Sequence, residues 1–199
     1  MYWNDGNRYE GDFKKDLKDG KGIYYFNDGD RYEGDFKDGK FEGKGIYYYN
    51  KVQWKGDKYE GDFKNDLKEG KGIYYFNNGQ WKGDKYEGYF KNDKSEGKGI
   101  MYWNDGDRYE GDFKNGKKEG KGIMYWNDGD RYEGDYKNNK REGKGIYYYN
   151  NGDREMGDYL NGKQIGIHIK LNNEGKVITN EYKLYNYYDK LLYDTSIFN

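Results

Sequence analysis

The side chains that most often carry chemistry are scarce in this sequence. There is no cysteine, hence no thiolate nucleophile, no thiolate metal site and no disulfide framework. The one imidazole, His168, lies in the apolar run 165–171 and reads as a strand residue. Outside tyrosine the hydroxyls are Ser95, Thr179, Thr195 and Ser196, and none has a histidine near it in a triad-like motif. Carboxylates are plentiful, but they recur in every repeating unit, as a solvated scaffold does rather than one tuned acid–base pair. Gly20-Lys21-Gly22 and its copies lack the glycine spacing and the Lys-Ser/Thr ending of a phosphate loop. Asp28-Gly29-Asp30 lacks the spacing and late glutamate of an EF-hand, and turn chemistry accounts for it. These residues point to no catalysis, no cofactor and no dedicated metal site.

What the chain has instead is rings and glycines in a fixed period. Aromatics make up 21% of 199 residues against 33% for all hydrophobics, and alanine is absent, so neither an aliphatic core nor a helix bundle is expected. A disordered chain would be poor in aromatics. The net charge of −1 argues against a general nucleic-acid binder. No apolar run approaches the ~18 residues of a membrane span. Tyr-Glu-Gly begins at Tyr9, Tyr32, Tyr59, Tyr86, Tyr109 and Tyr132, at steps of 23, 27, 27, 23 and 23 residues. Gly-Lys-Gly ends at Gly22, Gly45, Gly72, Gly99, Gly122 and Gly145, with the same steps. A degraded seventh copy reads Glu155-Met156-Gly157-Asp158-Tyr159.

Each unit reads as a β-hairpin. Tyr9, Gly11 and Phe13 alternate, so they share one face, as do Gly20, Gly22, Tyr24 and Phe26. Glu10, Asp12, Lys21, Ile23 and Tyr25 belong to the other face. Asn27-Asp28-Gly29-Asp30 is a turn between units. The rings can lie over glycines of a neighbouring strand or beside other rings; spacing alone leaves the register open. The two long steps come from Gln53-Trp54-Lys55-Gly56 and Gln80-Trp81-Lys82-Gly83, both in connecting loops. An insertion of even length keeps every side chain on its face.

The paired Tyr-x-Gly and Gly-x-Gly motifs at a 23-residue period resemble the MORN repeat family, over residues 1 to about 166. The resemblance implies an all-β fold: an elongated, twisted, single-layer antiparallel sheet of consecutive hairpins. It implies roles at membrane–cytoskeleton junctions, a cytoplasmic location and dimerisation in some members. It also implies that such arrays can be appended to enzymes, among them phosphatidylinositol phosphate kinases and a histone lysine methyltransferase. The expected organisation is a half repeat at 1–8, the array at 9–162, with its seventh copy running to about 166, and a C-terminal capping segment at 163–199. A short helix or irregular cap is expected around Leu184, Tyr188, Leu191 and Leu192. Residues 1–6 match 101–106, so the chain begins halfway through a repeat, whether by a natural half-repeat start or by loss of upstream repeats.

Three surfaces are candidates for binding. The six loops inside the repeats carry a combined charge of +11 and emerge along one edge, leaving the rest of the chain at −12. Among their cations, Lys14, Lys15, Lys18, Lys37, Lys40, Lys64, Lys68, Lys91, Lys94, Lys114, Lys117, Lys118, Lys137, Lys140 and Arg141 form a candidate edge for an anionic partner. Lysine there also blocks edge aggregation. Trp54 and Trp81 sit on the opposite edge, either as exposed partner anchors or laid onto the sheet by an insertion that lengthens two strands. The uncovered aromatic face is the third, and self-association of two rods into a homodimer would cover it. The expected function is a non-enzymatic scaffold for protein partners. The alternative is an adaptor that binds anionic phospholipid (a phosphoinositide) through the basic edge. A third reading is a fragment of a kinase-like relative without its catalytic domain.

Overall fold

The hairpins that the alternation demands form, and they pair in chain order. A computed structural model describes residues 1–183. Its strands are β1 (Arg8–Lys14), β2 (Leu17–Tyr25), β3 (Arg31–Lys37), β4 (Lys40–Tyr48), β5 (Lys58–Lys64), β6 (Leu67–Tyr75), β7 (Lys85–Lys91) and β8 (Lys94–Tyr102). They continue as β9 (Arg108–Lys114), β10 (Lys117–Tyr125), β11 (Arg131–Lys137), β12 (Lys140–Tyr148), β13 (Arg154–Leu160), β14 (Lys163–Leu171) and β15 (Val177–Lys183). All belong to one open antiparallel sheet in which each strand pairs only with its sequence neighbours. Tips inside the repeats are two-residue turns with both central residues at positive φ, as at Asn115 (50°) and Gly116 (80°). That is what a type I′ hairpin turn requires, and Asn, Asp and Gly adopt it at least cost.

The register answers what the spacing left open. Gly11 pairs with Gly22, Gly22 with Gly34, and Gly34 with Gly45. A row of glycines therefore crosses the sheet at right angles to the strands and reaches Gly157 on β13. On one side of that row lie the tyrosines. Tyr9, Tyr32, Tyr59, Tyr109 and Tyr132 are each fully buried, although the sheet has no second layer among the described residues. The Tyr59 ring covers Gly61 and Gly72, and a Cβ on either glycine would overlap it. Its hydroxyl donates to the Asp62 carbonyl at 2.9 Å. Phe63 of the same strand and Phe90 of the next repeat close on the ring edge-on, at 5.1 and 4.9 Å between centroids. Tyr9, Tyr32, Tyr86 and Tyr109 are flanked the same way. Each edge-on pair contributes about 0.5–1.5 kcal/mol beyond its area. The core is thus a line of rings running along one face.

After the glycine pair the ladder slips, between Gly61 and Phe63 in the third repeat. The carboxylate of Asp62 fills the gap by accepting from the Lys71 amide at 2.9 Å. Asp12 and Asp35 do the same in the first two repeats, so a side chain replaces a lost backbone partner at these bulges.

One expectation changes. The insertions do not lengthen strands: β4 and β5 keep the lengths of their counterparts, and the extra residues form 3-10 turns at Val52–Trp54 and Gly79–Trp81. The first part of the expected capping segment, residues 163–183, forms β14 and β15, which extend the same sheet. The helix or cap expected around Leu184, Tyr188, Leu191 and Leu192 lies outside the described residues.

Gly72→Ala should lower the unfolding free energy by more than about 2 kcal/mol, because ring and backbone leave the new methyl no room. Tyr59→Phe, which loses only the hydroxyl bond, should cost about 1 kcal/mol. Urea unfolding monitored by fluorescence measures both.

Candidate functional site

The aromatic face carries a second tier of side chains. Nine residues after each face tyrosine the chain has Lys18, Phe41, Lys68, Ser95, Lys118 and Arg141. Lys68 lies over the rings of Tyr49, Tyr59 and Tyr74, and its Nζ donates to the Tyr49 hydroxyl at 3.1 Å. Lys118 lies over Trp103, Tyr109 and Tyr136, Lys18 over Tyr24, and Arg141 over Tyr132 and Tyr159. Phe41 stacks on Tyr32 at 3.8 Å and 14°. Burial pulls the Lys18, Lys68 and Lys118 ammonium groups below their ordinary pKa. These four cations cap tyrosines and are drawn away from the loop edge where the sequence had placed them.

The remaining loop cations, Lys14, Lys15, Lys37, Lys40, Lys64, Lys91, Lys94, Lys114, Lys117, Lys137 and Lys140, are exposed at the hairpin tips. The acids among them are engaged. Glu42, Glu69, Glu96, Glu119 and Glu142 each accept from the backbone N–H at the tip of the following hairpin, at 2.9–3.1 Å. The tips are stitched to one another, with lysine left facing solvent.

The opposite edge is held by aspartates, of which the sequence had placed Asp30 in a turn. Asp30, Asp57 and Asp84 are 2–4% exposed. One carboxylate oxygen of each accepts from the first amide of the next connecting loop, as from Asn77 to Asp57 at 2.7 Å. The other oxygen accepts a tyrosine hydroxyl: Tyr47 on Asp30, Tyr74 on Asp57 and Tyr147 on Asp130. In the fourth repeat that tyrosine is Met101, and Asp84 Oδ2 is buried with no partner. The clue in the sequence was an Asp two residues before five of the six Tyr-Glu-Gly tyrosines, Asn7 standing in the first. Trp54 and Trp81 stand on this edge, 44% and 51% exposed. Trp54 packs edge-on against Tyr49.

On the other side of the sheet the glycine row leaves a hollow. An open trough of about 1650 Å³ runs from Glu10 to Ile146, with glycine backbone and Ile23, Ile46, Ile73, Ile100, Ile123 and Ile146 along it. A row of glutamates and a row of lysines line it as well. The glutamates pair with the Arg or Lys two residues earlier, as Lys58 with Glu60 at 3.2 Å. The lysines pair across strands, as Lys44 with Asp62 at 2.6 Å and Lys121 with Asp135 at 2.7 Å. Lys71 has Tyr89 in the acid's place and lies over its ring.

The last hairpin keeps the ring and changes its source. Glu155 holds the tyrosine position and His168 the second glycine position. The His168 ring lies over Gly157, 1% exposed, and Nε2 donates to the Asp158 carbonyl at 2.9 Å. That carbonyl corresponds to the one the tyrosine hydroxyl reaches in earlier repeats. Nδ1 lies 3.2 Å from Glu155 Oε1, off the line of a hydrogen bond. The Glu155 carboxylate is held by the Tyr149 hydroxyl at 2.7 Å and the Gln164 amide at 2.8 Å. His168 is structural, as its apolar surroundings in the sequence had indicated.

A model of the MORN repeat matches residues 9–31, 32–51, 59–81, 86–108, 109–131 and 132–154. The chain belongs to the MORN repeat family. Among curated proteins it has no matching relative. Its sheet is similar to a solved structure, the TCP domain of SAS-4 (dCPAP) from Drosophila melanogaster in complex with a proline-rich motif of Ana2 (dSTIL). The likeness covers 89% of this chain and 90% of that one at 15% identity and a TM-score of 0.55. The TCP10 domain of Danio rerio CPAP matches over 92% and 99% of the two chains at 17% identity, but superposes loosely, with a TM-score of 0.28.

Met101→Tyr should raise stability by about 1 kcal/mol, by giving Asp84 Oδ2 the hydroxyl it lacks; thermal melts test this. Burial raises the pKa of Tyr32, Tyr59, Tyr86, Tyr109 and Tyr132 well above the ordinary value. With the folded pKa raised, their contribution is complete below the unfolded value of about 10 and is lost as pH climbs past it. Absorbance at the tyrosinate band should show these rings ionising together with alkaline unfolding.

Proposed function

We propose that this chain is a non-enzymatic scaffold that holds an extended protein segment in its glycine-floored trough. The observation that carries the reading is the trough itself. It is continuous over six repeats, apolar along its isoleucines and bordered by alternating charge, which gives an extended chain both burial and register. Membership of a repeat family whose arrays serve as scaffolds supports it, and so does a fold neighbour solved with a bound proline-rich motif. Solenoid-like arrays use such extended surfaces for partners.

A second reading is favoured by the lysine tips. Lysines facing solvent while their neighbouring acids bind backbone make an edge that an anionic membrane attracts at about 1 kcal/mol per cation, within a Debye length. That reading places the scaffold peripherally at a membrane.

The two readings separate by variant. Ile73→Asp with Ile123→Asp should abolish retention of the partner captured by the wild-type array, while Lys114, Lys117, Lys137 and Lys140 changed to Ser should leave it intact. Capture that survives the trough variant contradicts the trough reading. Co-sedimentation with phosphoinositide and neutral vesicles tests the edge. Salt-sensitive binding to the anionic vesicles alone, lost in the lysine variant, supports it, and no binding at low salt rejects it.

A further inference from the structure

One place on the aromatic face lies open. In the other repeats of the array, the side chain nine residues after the face tyrosine covers that ring. In the fourth repeat this residue is Ser95, too short to reach across Tyr86. The space that Lys68 fills one repeat earlier is here a cavity of about 470 Å³, lined by Phe76, Trp81, Tyr86, Met101 and Trp103, with Lys68 and Lys118 among its walls. Trp81 borders it and is half exposed.

Three observations bear on what fits. In the second repeat the equivalent place holds an aromatic ring, Phe41, stacked flat on Tyr32. Asp84 is 3% exposed, and its Oδ2 has no partner, whereas the equivalent oxygen takes a tyrosine hydroxyl in three other repeats. The position of that tyrosine is held here by Met101, a flexible side chain of the cavity wall. Lys68 and Lys118 make no ion pair with a carboxylate among the described residues, and both are partly withdrawn from water.

We propose that this slot receives an aromatic side chain, tyrosine by preference, from an acidic segment of a partner protein. The ring seats on Tyr86 as Phe41 does on Tyr32. Displacement of the Met101 side chain lets the incoming hydroxyl donate to Asp84 Oδ2. Carboxylates flanking the ring pair with Lys68 and Lys118, and with Lys94, which also lines the slot. A cationic side chain is disfavoured by the same lysines. The inference rests on the protein-binding reading of the array, but it concerns the face opposite the trough.

The probe is the acetylated, amidated peptide Glu-Asp-Tyr-Glu-Asp, followed through the methyl resonances of the four methionines. The Met101 methyl should shift and saturate. Replacing the peptide's tyrosine by alanine, or its acids by lysines, should weaken binding about tenfold or more. Ser95→Lys supplies the side chain that three other repeats carry, so the array should fold with an unchanged melting temperature and lose the peptide. A Met101 methyl that stays fixed, or equal binding by folded Ser95→Lys, overturns the slot. Equal binding of the lysine-flanked peptide overturns the acidic partner. Ile73→Asp in the trough should not alter peptide binding, so failure of the slot and failure of the trough are read separately.

Discussion

A tyrosine ring seated over a pair of glycines is the contact from which the rest of this sheet follows. A single-layer sheet has no opposing layer on which to bury apolar surface. This chain buries it within the layer. Each ring lies flat across two strands, and that is possible only where neither strand has a Cβ. The glycines must therefore pair in register, and the register lines them into one row from Gly11 to Gly157. Because each ring touches only its own hairpin and the next, stability is assembled from neighbour to neighbour, and the array can grow or shorten by whole units.

The same contact shapes both faces. The side of the row that lacks rings becomes the floor of the trough, since glycine contributes no side chain there either. The ringed side needs a cover over each tyrosine, and that cover is free to vary: an ammonium with its alkyl stem, a phenyl ring, a guanidinium, or in the fourth repeat only a serine hydroxymethyl. Repetition fixes the frame, and single departures such as Ser95 and Tyr89 give one hairpin a character of its own. The two edges are tied by carboxylates that cap backbone N–H groups of the following repeat, which leaves lysine as the free charge of one edge.

Much of this was legible in the sequence. Alternation gave the hairpins, the fixed distance between glycine motifs matched their pairing, and even insertions kept the faces. Three things were not legible, for physical reasons. Lys18, Lys68 and Lys118 read as solvated loop charge because nothing in a sequence shows that a lysine stem will fold back over a ring. Asp30 read as a turn residue, whereas its carboxylate is held by a tyrosine 17 residues further on, an arrangement repeated at Asp57. Glu155 and His168 looked like erosion of the repeat, because a ring supplied from the opposite strand keeps the packing while breaking the motif.

That last exchange offers the most direct test of the central claim. If a ring over glycine is what each hairpin requires, its strand of origin is interchangeable. The measurement is a double-mutant cycle of Glu155→Tyr and His168→Gly followed by urea unfolding. The account expects each single variant to lose about 2 kcal/mol or more, one by crowding two rings into one place and the other by emptying it. The double variant, which restores the arrangement of the other repeats, should return to within about 1 kcal/mol of the wild type. Penalties that simply add in the double variant would contradict it.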